Sequence, residues 1–141
     1  GRNPTPSIEK AASKHREVTI TGFVDDVRPY LENATLAVIP MRYGSGVQNK
    51  VLEAMAMELP VVTTPLVADG LRTDTSPDVP LCIADDAEDF ADKIKTLLEQ
   101  KDKRNQLAEQ GRRFVKEYYD WSKSGAVLEQ MCLSAVADNS P

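Results

Sequence analysis

The fold is decided by residues 36–64, LAVIPMRYGSGVQNKVLEAMAMELPVVTT. Leu36 to Ile39 is a short apolar run stopped by Pro40, and Val61 to Thr64 is a β-branched run entered through Pro60 and left through Pro65. Apolar runs bounded by breakers and separated by a helical segment predict parallel strands joined by a crossover. Ligands of open α/β sheets gather outside the carboxyl ends of the strands. In this unit that position belongs to the loop Met41 to Gly46.

Gly44 and Gly46 stand just before the predicted helix. Glycine reaches positive φ and lets a ligand come close to the backbone. The first amides of a helix have no partner within it, and the helix dipole favours negative charge there. Gly-Ser-Gly running into a helix therefore reads either as a phosphate cradle or as an ordinary glycine-assisted turn. It is neither the dinucleotide pattern, because Asn49 replaces the third glycine, nor a P-loop, because no Gly-Lys-Ser/Thr follows.

Val51, Leu52, Ala54, Met55 and Ala56 make the helix apolar nearly all round, so it is predicted to be well buried. Gly46, Lys50, Glu53 and Met57 share one stripe at helical spacing. A buried carboxylate requires a partner. Glu53 is thus expected either to pair with Lys50 or to accept hydrogen bonds from ligand hydroxyls such as a ribose diol.

PMRYGSGVQNK followed by VLEAMAMELPVVTT resembles the donor-binding motif of retaining GT-B glycosyltransferases of the large GT4-like (group 1) family. The resemblance runs through GFVDDV and PLCIADDAEDFADKI to the end of the chain. It implies a three-layer α/β/α Rossmann-like domain with a parallel sheet, residues 1–141 being the N-terminally truncated donor-binding half. It also implies that the missing N-terminal acceptor domain is a partner of this half and that the isolated half is inactive. By the same resemblance Glu53 holds the ribose of a nucleotide-diphosphate sugar. Arg42, Gly44, Ser45, Gly46, Val47 and Lys50 meet the diphosphate or the sugar, and Phe23 and Val24 lie near the nucleobase. No catalytic residue is assigned. The family often carries a glutamate eight positions before the second one, and here that position is Ser45. Arg42, the glycine loop and Lys50 match a subgroup that lacks this first glutamate. Rival readings are a nucleotide- or sugar-phosphate-binding module without transfer activity, and a GT-B-fold nucleotide-sugar epimerase.

Composition sets the bounds. The 141 residues suffice for one domain with a sizeable core, and the net charge of −5 argues against a broad nucleic-acid surface. Cys82 and Cys132 have no metal or redox spacing and are expected as reduced core residues. Reduced cysteines fit a cytoplasmic setting, with or without peripheral contact with the inner face of a membrane, and no apolar run is long enough to span a bilayer. The single histidine, His15, lies among charged residues and reads as a surface group. No Asp-x-Asp pair is present, which argues against a metal-dependent GT-A transferase, and no cofactor or metal is expected.

The remaining elements are predicted as follows. A helix starts near Ser7, a strand covers Val18 to Thr21, and Asp25 or Asp26 caps a helix through Asn33. A helical turn follows Pro65, whose segment is placed along the same crevice as the glycine loop. A loop spans Arg72 to Pro80, and a strand covers Leu81 to Ile83. Asp85 or Asp86 caps the next helix, so the acidic run there reads as capping rather than as a metal site. A helix with Leu107, Gly111, Phe114, Val115 and Tyr118 on its apolar face comes next, then a last helix anchored by Trp121. The lost strands would leave exposed sheet edges through which copies of the chain associate.

Overall fold

The computed structural model describes residues 3–72 and 78–138, and for residues 137–138 the helical backbone only. Residues 139–141 and most of the predicted loop between Arg72 and Pro80 lie outside the described residues. The chain divides into two compact units, residues 1–30 and 31–141.

In the first unit, helix α1 (Pro6–Ala12) starts one residue earlier than expected. Thr5 is its N-cap and Pro6 its first helical residue, because the fixed φ of proline suits that position. Val18 to Thr21 does not form a strand. A β-branched run becomes a strand only with a ladder beside it, and among the described residues none pairs with this one; Val18 and Ile20 are exposed. Helix α2 (Arg28–Glu32) spans the division between the units. Before it, Asp26 accepts the Arg28 amide at 2.9 Å and grips the same residue's guanidinium, which holds the Asp26 carboxyl below its ordinary range.

The second unit follows the predicted order: β1 (Ala37–Ile39), α3 (Asn49–Ala56), β2 (Val61–Thr63), α4 (Pro65–Asp69), β3 (Cys82–Ile83), α5 (Ala87–Glu99), α6 (Lys101–Tyr118) and α7 (Trp121–Asp138). The three strands are parallel in the order β1-β2-β3, with Ala37 opposite Val61 and Val62 opposite Cys82. Alternation along β2 sends Val61 to one side and Val62 to the other. Val61 joins Ile39, Val51, Ala54, Met55, Val67 and Phe114 under α3, α4 and the end of α6. Val62 joins Ala84 and Leu97, with Phe90 and Ile94 of α5 packed around them. This is a three-layer Rossmann-like α/β arrangement. Helix α6 serves both layers, since Leu107 packs on the α5 side and Phe114 on the α3 side.

Local chemistry explains the helix ends. Helix α3 closes with Glu58 at φ 55°; its amide bonds Met55 O at 3.1 Å and the Leu59 amide bonds Ala54 O at 3.0 Å. That is the Schellman pattern with a glutamate where glycine is usual. Asp86 caps α5 by accepting the Asp89 amide at 2.9 Å. The Asp89 carboxylate in turn accepts the Asp85 amide at 3.0 Å and Lys93 Nζ at 2.6 Å. The acidic run is thus held in helix capping. Gly111 lies against Met55: a Cβ there would meet Met55 carbons at 3.5 Å.

Three packing expectations are corrected. Trp121 anchors nothing, being 89% exposed, because no described element covers the start of α7. Cys132 is an exposed residue of α7 rather than part of the core. Glu53 is exposed on α3, whose buried residues are Val51, Ala54 and Met55. The reason is that α3 is not apolar all round: it turns one side to the sheet and α6 and the other to solvent. Among the described residues no helix is long and apolar enough to cross a membrane.

Candidate functional site

The carboxyl ends of β1 and β2 are tied together by two threonines. Thr63 Oγ1 donates to Ile39 O at 2.9 Å, and Thr64 Oγ1 donates to Met41 O at 2.7 Å. The loop that leaves β1 is therefore fastened to β2 at its first residues.

Beyond that fastening the chain makes two left-handed excursions, at Gly44 (φ 139°) and Gly46 (φ 70°). Side chains other than glycine rarely adopt such angles. At Gly44 a Cβ would also come within 2.8 Å of Met41 Cε. Helix α3 starts later than the sequence suggests, with Gln48 as N-cap and Asn49 as first helical residue. The amides of Gly46 and Val47 therefore belong to the loop and not to the first turn of the helix. Gln48 folds back instead, its Nε2 donating to Ser45 O and Gly46 O, each at 3.3 Å.

Two concave surfaces meet this stretch. One, of about 260 Å³, is a cleft between the loop residues Met41, Gly44, Ser45, Gly46 and Gln48 and the α4 residues Leu66, Val67, Asp69 and Gly70. Contact across it is close: a Cβ on Gly70 would lie 2.8 Å from Gly46 O. The segment after Pro65 thus faces the glycine loop, as its place at a strand's carboxyl end predicts. The other, of about 520 Å³, is a groove along α3, lined by Val47, Asn49, Leu52, Glu53 and Ala56 and by Val115, Tyr119, Trp121 and Ser124.

The residues singled out from sequence are therefore distributed. Gly44, Ser45 and Gly46 line the cleft, whereas Val47 and Glu53 line the groove. Arg42 and Lys50 are exposed and line neither. Among the described residues Lys50 and Glu53 form no ion pair, so the structural Lys50–Glu53 pairing is not made. Phe23 and Val24 belong to the other unit, Phe23 exposed and Val24 half-buried. The described residues hold no group of three or more His, Cys, Asp or Glu able to bind a metal.

Sequence reading did not single out Gln48 or Gly70. The signal for Gln48 was its place two residues after Gly46, where a side-chain amide reaches the loop carbonyls. Gly70 carries no such signal, because its nearness to Gly46 comes from a non-local packing of α4 on the loop. Tyr119, also unmarked, donates its hydroxyl to Leu71 O at 3.1 Å and stacks obliquely near Phe114, and burial pushes its hydroxyl pKa up.

No curated protein and no solved structure matches the chain. The family model described as "Glycosyl transferases group 1" matches residues 1–100, which takes in the sheet, the glycine loop, Glu53 and the cap of α5. The match takes in the glycine loop at the carboxyl ends of the parallel strands and the Glu53 helix that follows, it covers more than two thirds of the chain, and the chain belongs to the group 1 glycosyltransferases.

Proposed function

We propose that this chain is the donor-binding part of a retaining GT-B glycosyltransferase of the GT4 type, which takes a nucleotide-diphosphate sugar. One observation carries the reading. A loop with two left-handed glycines sits at the strand ends, and the carboxylate of Glu53 is exposed in a groove that begins at the next residue of that loop, Val47.

In this reading the diphosphate meets the loop amides of Gly46 and Val47, with Gly44 and Ser45 alongside and Arg42 and Lys50 supplying positive charge. Preorganised donors aimed at a leaving group's charge are an effective form of catalysis. An exposed carboxylate that makes no ion pair among the described residues is ready to accept two hydroxyl donors, and a ribose diol supplies them. Glu53 orients the nucleoside and is not the nucleophile. No metal is required in this scheme, because main-chain donors and basic side chains meet the charge. The acceptor is bound by a further domain, and the setting is cytoplasmic.

Calorimetric titration with UDP, GDP and their sugars tests the reading. One nucleoside diphosphate is expected to bind, and Glu53→Ala is expected to weaken it by about tenfold or more, the loss of a charge-assisted pair of hydrogen bonds. Absence of binding by every nucleotide, in this chain and in a longer chain carrying an acceptor domain, would defeat it. Ser45, at the place of the family's first glutamate, favours one rival: a module that binds the nucleotide and transfers nothing. Binding by the longer chain without sugar transfer to any acceptor would support that rival.

A further inference from the structure

The Gln48 side chain holds two successive carbonyls, Ser45 O and Gly46 O, with one amide nitrogen at 3.3 Å from each. Among the described residues no cis peptide is present, and in a trans peptide the N–H points opposite to the C=O. Fixing the Ser45 carbonyl therefore fixes the Gly46 N–H, and fixing the Gly46 carbonyl fixes the Val47 N–H. Both amides are turned away from the Gln48 amide, and neither has an acceptor among the described residues. Successive amides presented together around a left-handed residue form an anion-binding concavity, and Gly46 has φ 70°.

A second contact acts on the same carbonyl. Gly70, at the end of α4, approaches so closely that a Cβ would stand 2.8 Å from Gly46 O and 3.4 Å from Gly46 C. The Gly46–Val47 peptide is thus held by a donor from Gln48 and by a space that only glycine leaves at residue 70.

We infer that Gln48 is a positioning residue, and that with Gly70 it latches the glycine loop so that the Gly46 and Val47 amides form a two-donor seat for the diphosphate of the donor. The inference rests on the nucleotide-sugar reading for the identity of the anion. The latch itself is a statement about these two peptides and is testable apart from it. Gln48 touches no reacting atom; it acts through the loop. Without the Gln48 donor only the Gly70 contact restrains the Gly46–Val47 peptide, and the loop spends more of its time with carbonyls turned toward the anion, which repels it.

The test uses the whole 141-residue chain, isotopically labelled, and three proteins: wild type, Gln48→Met and Gly70→Ala. Methionine keeps the length and volume of Gln48, adds no charge and removes the donor. Each protein is titrated with inorganic pyrophosphate while the amide resonances of Gly46 and Val47 are followed, and then with UDP and GDP. In the wild type both amides are expected to shift saturably with pyrophosphate. In each variant the apparent affinity is expected to fall about tenfold, the size of one charge-assisted hydrogen bond, with the thermal midpoint nearly unchanged in Gln48→Met and lowered in Gly70→Ala, whose new Cβ displaces the Gly46 carbonyl. Because both changes act on one peptide, the double variant is expected to lose much less than the product of the two single losses.

Wild-type affinity in both variants, or wild-type amides that ignore pyrophosphate, would overturn the latch. Should Gln48→Met fail to fold, Gly70→Ala alone decides by the same readout. If pyrophosphate moves the amides and the variants lose it while no nucleoside diphosphate binds, the latch stands and the nucleotide-sugar reading falls.

Discussion

Single side chains at the strand ends do work that packing alone does not. Thr64 is a β-branched residue suited to a strand, yet its hydroxyl is spent on Met41 O, the first residue of the glycine loop. Thr64→Val keeps the shape and removes the bond, so it is expected to cost about 1 kcal/mol in a urea titration. Tyr119 gives a pH-dependent counterpart. Burial raises its hydroxyl pKa above the ordinary 10.0, so the unfolded chain loses this proton first. Stability from this group is therefore complete below about pH 10 and declines as the pH rises through and beyond that value. The difference between wild type and Tyr119→Phe is expected to shrink above pH 10; a difference that grows would contradict it.

At the scale of elements, the two helices packed on each other show opposite uses of glycine. Helix α3 ends on Glu58 in a left-handed conformation that favours glycine. Glu58→Gly is expected to raise stability by about 0.5–1 kcal/mol, measured by thermal unfolding. The surface ion pair it forfeits, Arg112–Glu58 at 3.3 Å with both side chains largely exposed, returns little. Helix α6 carries the reverse case at Gly111, which has helical geometry and room for a methyl group in ordinary contact with Met55 at 3.5 Å. Gly111→Ala is expected to stabilise by about 0.5–1 kcal/mol through helix propensity. Destabilisation would mean that the α3–α6 contact leaves less room for a methyl than the 3.5 Å separation provides.

For the molecule as a whole, the contrast lies between the sheet-bearing core and α7. The core is closed by β2, whose three residues are all buried, whereas Trp121, Val127, Leu128, Met131, Leu133 and Val136 of α7 are exposed. The two thiols report this division. Cys132 is exposed on α7, and Cys82 is half-buried at β3 with a thiol pKa pushed up by desolvation. Labelling with a thiol reagent is expected to show one fast and one slow equivalent, the fast one abolished by Cys132→Ser. Equal rates would show that β3 opens as readily as α7.

The amino-acid sequence determined the order of strands and helices after Leu36, the parallel sheet, the glycines of the loop and a helix cap at Asp85 or Asp86, of which the structure uses Asp86. It could do so because these depend on periodicity, breakers and short-range hydrogen bonds. Val18 to Thr21 shows where that ends: β-branching gives a preference for extension, but a strand exists only when another chain segment lies beside it. Tertiary packing alone decided that Glu53 faces solvent, that Trp121 is bare, and that Gly70 meets the Gly46 carbonyl. Each of these depends on which surfaces are left uncovered or brought together once α3, α4 and α6 have packed, and no local pattern in the chain encodes that.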